Sequence, residues 1–222
     1  MEKKLFEEVE RHLLNDDKPS EYLRSNLHKF KNSSLSFINE FEKIEQSPVH
    51  HPEGNVLNHM LLVVDGATLV KEYAKDKRVL MWSAMFHDIG KIKTTKIKRG
   101  RITAYEHDTI GAKDVEKILN KYDFLEEDFK NKVKNMVRYH MHSLYIAKGL
   151  PFGDIKGLLA NVEMHHDMIL LFFADKIGRG DFSKGNIERV VSENLDIISI
   201  LEEKYKVDLS ETVKILVGFL NL

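Results

Sequence analysis

In the stretch MWSAMFHDIGK, residues 81–91, an apolar run ends on His87 and Asp88, followed closely by Gly90 and Lys91. An imidazole beside a carboxylate is a metal-ligating pair. His offers a neutral nitrogen and Asp a charge that offsets a cation. Neither belongs at the buried end of an apolar helix without a partner, because an uncompensated ionisable group is costly to bury. Two further exceptions are of the same kind: His59 inside NVLNHMLLVV and Asp175 inside MILLFFADKIG. Singly, each has a plain explanation. A buried His is more often a hydrogen-bonded core residue than a ligand, Asp175 could pair with a cation on a neighbouring helix, and His-Asp dipeptides arise by chance. Together, two His and two Asp in core-grade segments suit one divalent transition metal, which would itself compensate the buried carboxylates. The partial negative charge at a helix C-terminus favours a cation near His87 and Asp88. Gly90 is expected to end that helix and let the chain turn away.

Other chemistry-bearing residues lie around these four. His107 opens HDTIGAKDVEKIL near an expected helix N-terminus, and His140 shares a stripe with Val133 and Val137. Either would take a second ion or hydrogen-bond a phosphate. His142, His165 and His166 read as surface or outer residues, and His50 and His51 flank a Pro52-Glu53-Gly54 turn that could border the site. Lys91 and Arg179 are candidate phosphate cations; Arg179 lies four residues after Asp175 and so projects to the same helical face. The plainer alternatives are a solvated lysine and a structural Arg179–Asp175 pair. The run KIKTTKIKRGR, residues 91–101, holds six Lys or Arg. It reads first as a solvated hairpin and second as a funnel for phosphates.

The elements that must position these residues are almost all helical by periodicity. Amphipathic helices are expected over 2–14 and 20–45, with Pro19 in a first turn, and apolar helices over 55–74 and 77–88. Further helices are expected over 107–121, 128–141, 153–160, 163–178, 185–204 and 210–221. Asp123 and Glu126 have the spacing of a capping box. The break is TTKIKRGRITAY, where β-branched and basic residues alternate about Arg99-Gly100, a small hairpin near residues 94–104. The expected fold class is all-α, a helical bundle with that one hairpin. The expected organisation is a single domain over 1–222, with a helical extension at 1–46, a core at 47–182 and C-terminal helices at 183–222.

Composition narrows the chemistry. The chain has 222 residues, 42% hydrophobic and 31% charged, which is enough to bury a sizeable core. A net charge of −1 argues against an extended nucleic-acid surface, though not against one phosphorylated group. The absence of Cys excludes disulfides, thiolate zinc sites and a cysteine nucleophile. The charged start MEKKLFEEVE has no signal-peptide core and no apolar run reaches spanning length, so a cytoplasmic location without membrane partners is expected.

The blocks HPEGNVLNH, MFHDIGK, EHDTIGA, RYHMH and FADKIGRGD occur in this order. Together they resemble the HD-domain metal-dependent phosphohydrolases, most of all the HD domain appended to bacterial tRNA nucleotidyltransferases (CCA-adding enzymes). The resemblance covers roughly residues 48–182. It implies an HD-type helical bundle with metal ligands at His59, His87, Asp88 and Asp175, and further ligands at His107 and His140 where two ions bind. It also matches Lys91 and the block from Asp175 to Arg179 to family motif positions. Asn55 stands where the tRNA-enzyme pattern usually has Asp. No strand-rich polymerase segment with paired carboxylates is present in the sequence, so the expectation is a hydrolase module standing alone that does not add nucleotides to tRNA.

The reading is a metal-dependent phosphohydrolase with one or two divalent ions, Mn, Ni, Co, Fe or Mg. It would act through a metal-activated water on a phosphorylated small molecule or an RNA 3′ end, as a phosphomonoester or a 2′,3′-cyclic phosphodiester. Asp88, Lys91 and Arg179 would carry the catalysis. Two alternatives use the same ligands: a di-iron HD oxygenase, and a non-catalytic binding module stabilised by metal.

Overall fold

A computed structural model describes residues 2–221, Asn221 by its backbone alone. The helices in chain order are α1 (Glu2–Asn15), α2 (Pro19–Ser25), α3 (Leu27–Phe30), α4 (Phe37–Phe41), α5 (Val56–Thr68), α6 (Lys77–Phe86) and α7 (Lys91–Thr94). After the strands β1 (Lys96–Lys98) and β2 (Arg101–Thr103) come α8 (His107–Leu119), α9 (Glu127–Tyr139) and α10 (His142–Ala147). The chain closes with α11 (Ile155–Asn161), α12 (His165–Ile177), α13 (Lys184–Tyr205) and α14 (Ser210–Gly218). The class is all-α with one small hairpin, as expected from the periodicity.

Three helices form the centre. On α6 every residue from Val79 to Phe86 is buried, and α12 is buried from His166 to Asp175. α5 packs against both, and α9 covers α6 and in turn carries α8. Helices apolar on all faces must sit inside other helices, and here the outer ones supply that cover. α1 places Phe6, Val9 and Leu13 on α6, and Phe6 stacks on Trp82 at 4.1 Å. Glu10 of α1 receives the Trp82 indole N–H at 2.9 Å and Arg78 Nε at 2.6 Å. α12 is keyed to the entrance of α6 by Asp167, whose carboxylate accepts the backbone N–H groups of Lys75 and Asp76. α13 packs on α12 and α14 on α13, so one apolar core runs from Phe6 to Leu216. Among the described residues, no helix is long and apolar enough to cross a membrane.

Several boundaries differ from the periodicity. The helix expected over 20–45 is three short helices. Asn26 bonds back to the Tyr22 carbonyl, Asn39 to that of Leu27, and Ser33 to that of Phe30. Such side-chain bonds compete with the helical ladder. The segment 55–74 stops being α-helical after Thr68, whose hydroxyl binds the Asp65 carbonyl, and finishes as a 3-10 turn at 71–73. The Asp123/Glu126 capping box is not made, because α9 starts at Glu127 and Glu126 forms no side-chain cap. The helix expected to reach Asp88 ends at Phe86. Gly90 lies at φ −64°, an ordinary right-handed conformation, so it does not act as a left-handed terminator.

Candidate metal centre

Five elements deliver the candidate ligands. His59 lies in the second turn of α5, a helix opened by Asn55, whose side-chain oxygen accepts the Asn58 N–H at 2.9 Å. Asn caps as well as Asp does, so the departure at this position keeps the cap. His87 and Asp88 occupy the turn after α6, His107 is the first residue of α8, His140 follows α9, and Asp175 lies in the last turns of α12. All six are buried.

Gly90 brings two of these elements together. A Cβ there would lie 2.0 Å from the His107 carbonyl oxygen and 2.7 Å from the Gly111 nitrogen. Only a bare α-carbon lets α8 start this close to the turn bearing Asp88, and the role of Gly90 is close approach. His107 also follows Glu106, a non-glycine residue at φ 60°, which is uncommon backbone beside a cluster of polar groups.

The side chains form two contiguous groups. Ligand atoms of His59, His87 and Asp175 lie within 4.8 Å of one another, and so do those of Asp88, His107 and His140. His59 Nε2 is 3.1 Å from Asp175 Oδ1 and 3.6 Å from Asp88 Oδ2. His87 Nε2 is 3.2 Å from Asp88 Oδ2 and 3.9 Å from Asp175 Oδ1. On the other oxygen, Asp88 Oδ1 is 3.3 Å from His107 Nε2 and 3.7 Å from His140 Nε2. Asp88 therefore faces both groups.

The hydrogen bonds of the imidazoles point to a cation. His87, His107 and His140 each use Nδ1 against a backbone carbonyl, of Ala84, Ala104 and Val137, at 2.8, 2.6 and 2.7 Å. A carbonyl only accepts, so each of these Nδ1 atoms carries a hydrogen and each ring presents Nε2 to the cluster, the outer-sphere orientation typical of ligating His. His87 Nε2 is buried and makes no hydrogen bond. His107 Nε2 and His140 Nε2 face each other at 3.2 Å. One proton or one metal ion shared between them would satisfy both nitrogens. Burial, with the rings of His107 and His87 nearby, holds His140 well below its usual pKa, so it stays neutral. The donor set of imidazole nitrogens and carboxylate oxygens fits a divalent transition ion in each group.

The carboxylates are kept ionised against burial. Burial alone would raise the pKa of Asp88, but Lys91 and the neighbouring imidazoles outweigh it and hold the group well below the usual range. Asp175 behaves likewise, with Arg179 and His59 outweighing burial. For His59, burial opposes charge, but hydrogen bonds to Asp175 and Glu53 prevail and raise its pKa. Arg179 meets Asp175 through Nη2 at 2.8 and 2.6 Å and Nε at 3.2 Å. Lys91 is not a solvated surface lysine. It is buried, and its Nζ sits 2.6 Å from both Asp88 Oδ2 and Gln46 Oε1.

Two neighbours lay outside the sequence-based set. Glu53 accepts from His51 Nδ1 and His59 Nδ1, both at 2.8 Å, which orients the His59 ring. Its proximity to His51 in the turn was the one available signal. Gln46 gave none. The outer histidines are also less exposed than expected. His142 is fully buried between Tyr139 and Tyr145, and His166 is buried against Thr212 Oγ1 and the Tyr73 carbonyl. Each lies in a helix whose apolar neighbours carry it inward.

The sequence model of the HD domain family matches residues 56–180. Two curated relatives, both multifunctional CCA proteins of Actinobacillus pleuropneumoniae (serotype 5b strain L20 and serotype 7 strain AP76), are each 25% identical over 183 residues. Each alignment covers 75% of this chain and 44% of the relative, so the chain spans under half the length of these relatives.

Proposed function

The chain belongs to the HD domain family, and from that premise we propose that it hydrolyses phosphate esters of nucleotides or RNA ends. The bond cleaved is a phosphomonoester or a 2′,3′-cyclic phosphodiester. HD domains are generally metal-dependent phosphohydrolases, and the two relatives are multifunctional CCA proteins. The observation that carries the reading is the pairing of buried ligand groups with two cations. His59, His87, Asp88 and Asp175 would hold one ion, and His107 and His140 with Asp88 a second. Bound there, the metal would supply a water of lowered pKa and a Lewis acid for a phosphoryl oxygen.

The chain's own groups do the rest. Asp88 would accept the proton of the attacking water; its carboxylate borders both groups and carries a negative charge, which supports that role. Lys91 and Arg179 would neutralise charge growing on the non-bridging oxygens. Both now balance carboxylates that a metal would also balance, which leaves them available to an anionic substrate. No nucleophile from the protein is required, in keeping with the absence of Cys.

Purified protein with Mn²⁺, Ni²⁺, Co²⁺ or Mg²⁺ should be assayed against 2′,3′-cyclic AMP, 3′-AMP, 5′-AMP and an aryl phosphate. Release of phosphate, or opening of the cyclic ester, is expected. A metal-replete sample inert toward all of them would end this reading, and oxygen uptake by an iron-loaded sample would replace it with an oxygenase.

A further inference from the structure

The basic hairpin has a geometry that a merely solvated loop does not need. β1 and β2 pair antiparallel with Lys96 opposite Thr103, Ile97 opposite Ile102 and Lys98 opposite Arg101. Residues directly opposite in such a pair share a face, and alternate residues share it too. Lys96, Lys98 and Arg101 therefore project from one face, and the two isoleucines from the other. The turn is closed by Arg99 and Gly100, both at positive φ (49° and 74°), the conformation of a tight two-residue hairpin turn. Like charges directly opposite destabilise a pair, and a two-stranded ribbon is marginal to begin with. Lys98 opposite Arg101 is thus a local conflict. Among the described residues, no carboxylate makes an ion pair with Lys96, Lys98, Arg99 or Arg101. The face opens on a cleft of about 380 Å³ between the hairpin and α8, lined also by Lys93, Tyr105 and Glu106. The Tyr105 ring is 70% exposed, with Lys98 Nζ 5.6 Å from its centre.

Both legs of the hairpin spring from the candidate metal centre. Lys91 precedes β1 by five residues and His107 follows β2 by four. Four residues span at most about 14 Å, so Thr103, the near end of the basic face, lies within that distance of His107 in the second ligand group. One terminal phosphate would be taken up by the ions with Lys91 and Arg179. Cations beyond it match further phosphates, and an exposed ring beside them offers a stacking face to a base.

Resting on the function proposed above, we infer that this face binds the nucleotides preceding a terminal phosphate, so that the preferred substrate is the end of a single-stranded oligonucleotide rather than a free mononucleotide. The small patch suits a few phosphates and is consistent with a net charge near zero. Three cations released onto single-stranded phosphates imply a salt slope of about −2 in log binding constant against log salt.

The test measures binding first, so that it does not depend on turnover. A short 5′-fluorescein oligoribonucleotide with a 3′-phosphate is titrated with the intact, metal-loaded protein by anisotropy at several salt concentrations. The slope near −2 is expected, with 3′-AMP a weak competitor. Lys98→Glu would place an attractive pair across from Arg101, so the melting temperature should hold or rise. At the same time the salt slope should flatten by about 0.7 or more. Tyr105→Ala should weaken binding without changing the slope. If hydrolysis occurs, the ratio of kcat/KM for oligonucleotide over 3′-AMP should fall in both variants. Equal binding of oligonucleotide and 3′-AMP by the wild type, or a slope unchanged in Lys98→Glu, would overturn the inference and leave the phosphohydrolase reading intact. Specific, salt-sensitive binding by a protein inert toward every phosphate would do the reverse.

Discussion

At the residue scale, Asp88 is the hinge of the site, with one oxygen toward His59 and His87 and the other toward His107 and His140. Asp88→Asn keeps the shape and removes the charge. It should cut bound metal in both groups and bring hydrolysis down to the level of the metal-free protein, read by elemental analysis beside the assay. Retention of both metal and activity would remove Asp88 from the mechanism. Arg179 separates from the ligands by a different signature. It is partly exposed and bound to both oxygens of Asp175. Arg179→Ala should lower kcat by about a hundredfold or more. Metal affinity should hold or improve, because Asp175 loses a competing cation. A fall in metal affinity with unchanged kcat would make Arg179 purely structural. His59, His87, Asp88 and Asp175 stood out in the sequence because each interrupts an apolar segment, whereas His107 and His140 stood out by position, at an expected helix start and on a helical stripe. Lys91 was a candidate by its place after the His-Asp pair, but its burial was not legible, since a Lys beyond a helix end looks the same whether it meets solvent or a buried Asp88. Gln46 was invisible for a related reason: its partner lies forty-five residues away.

At the scale of elements, the site depends on how closely helices approach. Gly90→Ala would drive a methyl into the His107 carbonyl and the Gly111 nitrogen. Overpacking of this kind costs about 1–3 kcal/mol, occasionally more. The displaced group is the start of α8, so metal at His107 and His140 should be lost before metal at His59, His87 and Asp175. Chemical denaturation together with metal stoichiometry checks both halves, and loss of both ions in parallel would contradict the account. Asp167 offers a control away from the site. Asp167→Ala removes the two bonds that the N–H groups of Lys75 and Asp76 make at the entrance of α6, at about 0.5–1.5 kcal/mol for each bond lost. Stability should fall while activity per folded molecule holds. Long apolar helices were legible because their periodicity and burial agree. The stretch 20–45 was misread because its Asn and Ser residues bond to the backbone, a choice that depends on what packs above them.

At the scale of the molecule, the ligands come from five elements that meet only in the folded chain, so an ion that binds them binds the native state alone. At a hundred times its dissociation constant such an ion adds about 2.7 kcal/mol. For a chain of this size that raises the melting temperature by roughly 5–10 °C. Scanning calorimetry of chelator-treated protein, before and after a divalent ion is restored, reads this directly, and an unchanged transition would argue against a resident metal. The all-α architecture was legible from the 3.6-residue pattern. The way the outer helices cap the centre was not, because an amphipathic helix declares that it has a buried face without declaring which neighbour covers it.

Trp82 is the chain's single tryptophan, wholly buried and stacked on Phe6. It also sits five residues before His87, a rise of about 7.5 Å along helical backbone. The protein therefore carries its own optical probe, packed against α1 on the helix that leads into the ligand-bearing turn. An open-shell ion such as Co²⁺ entering that cluster should quench its emission, whereas Mg²⁺ should leave it bright. Detachment of α1 would instead shift the emission to the red. Entry of metal and loosening of the amino-terminal helix can thus be told apart in a cuvette, with no label added.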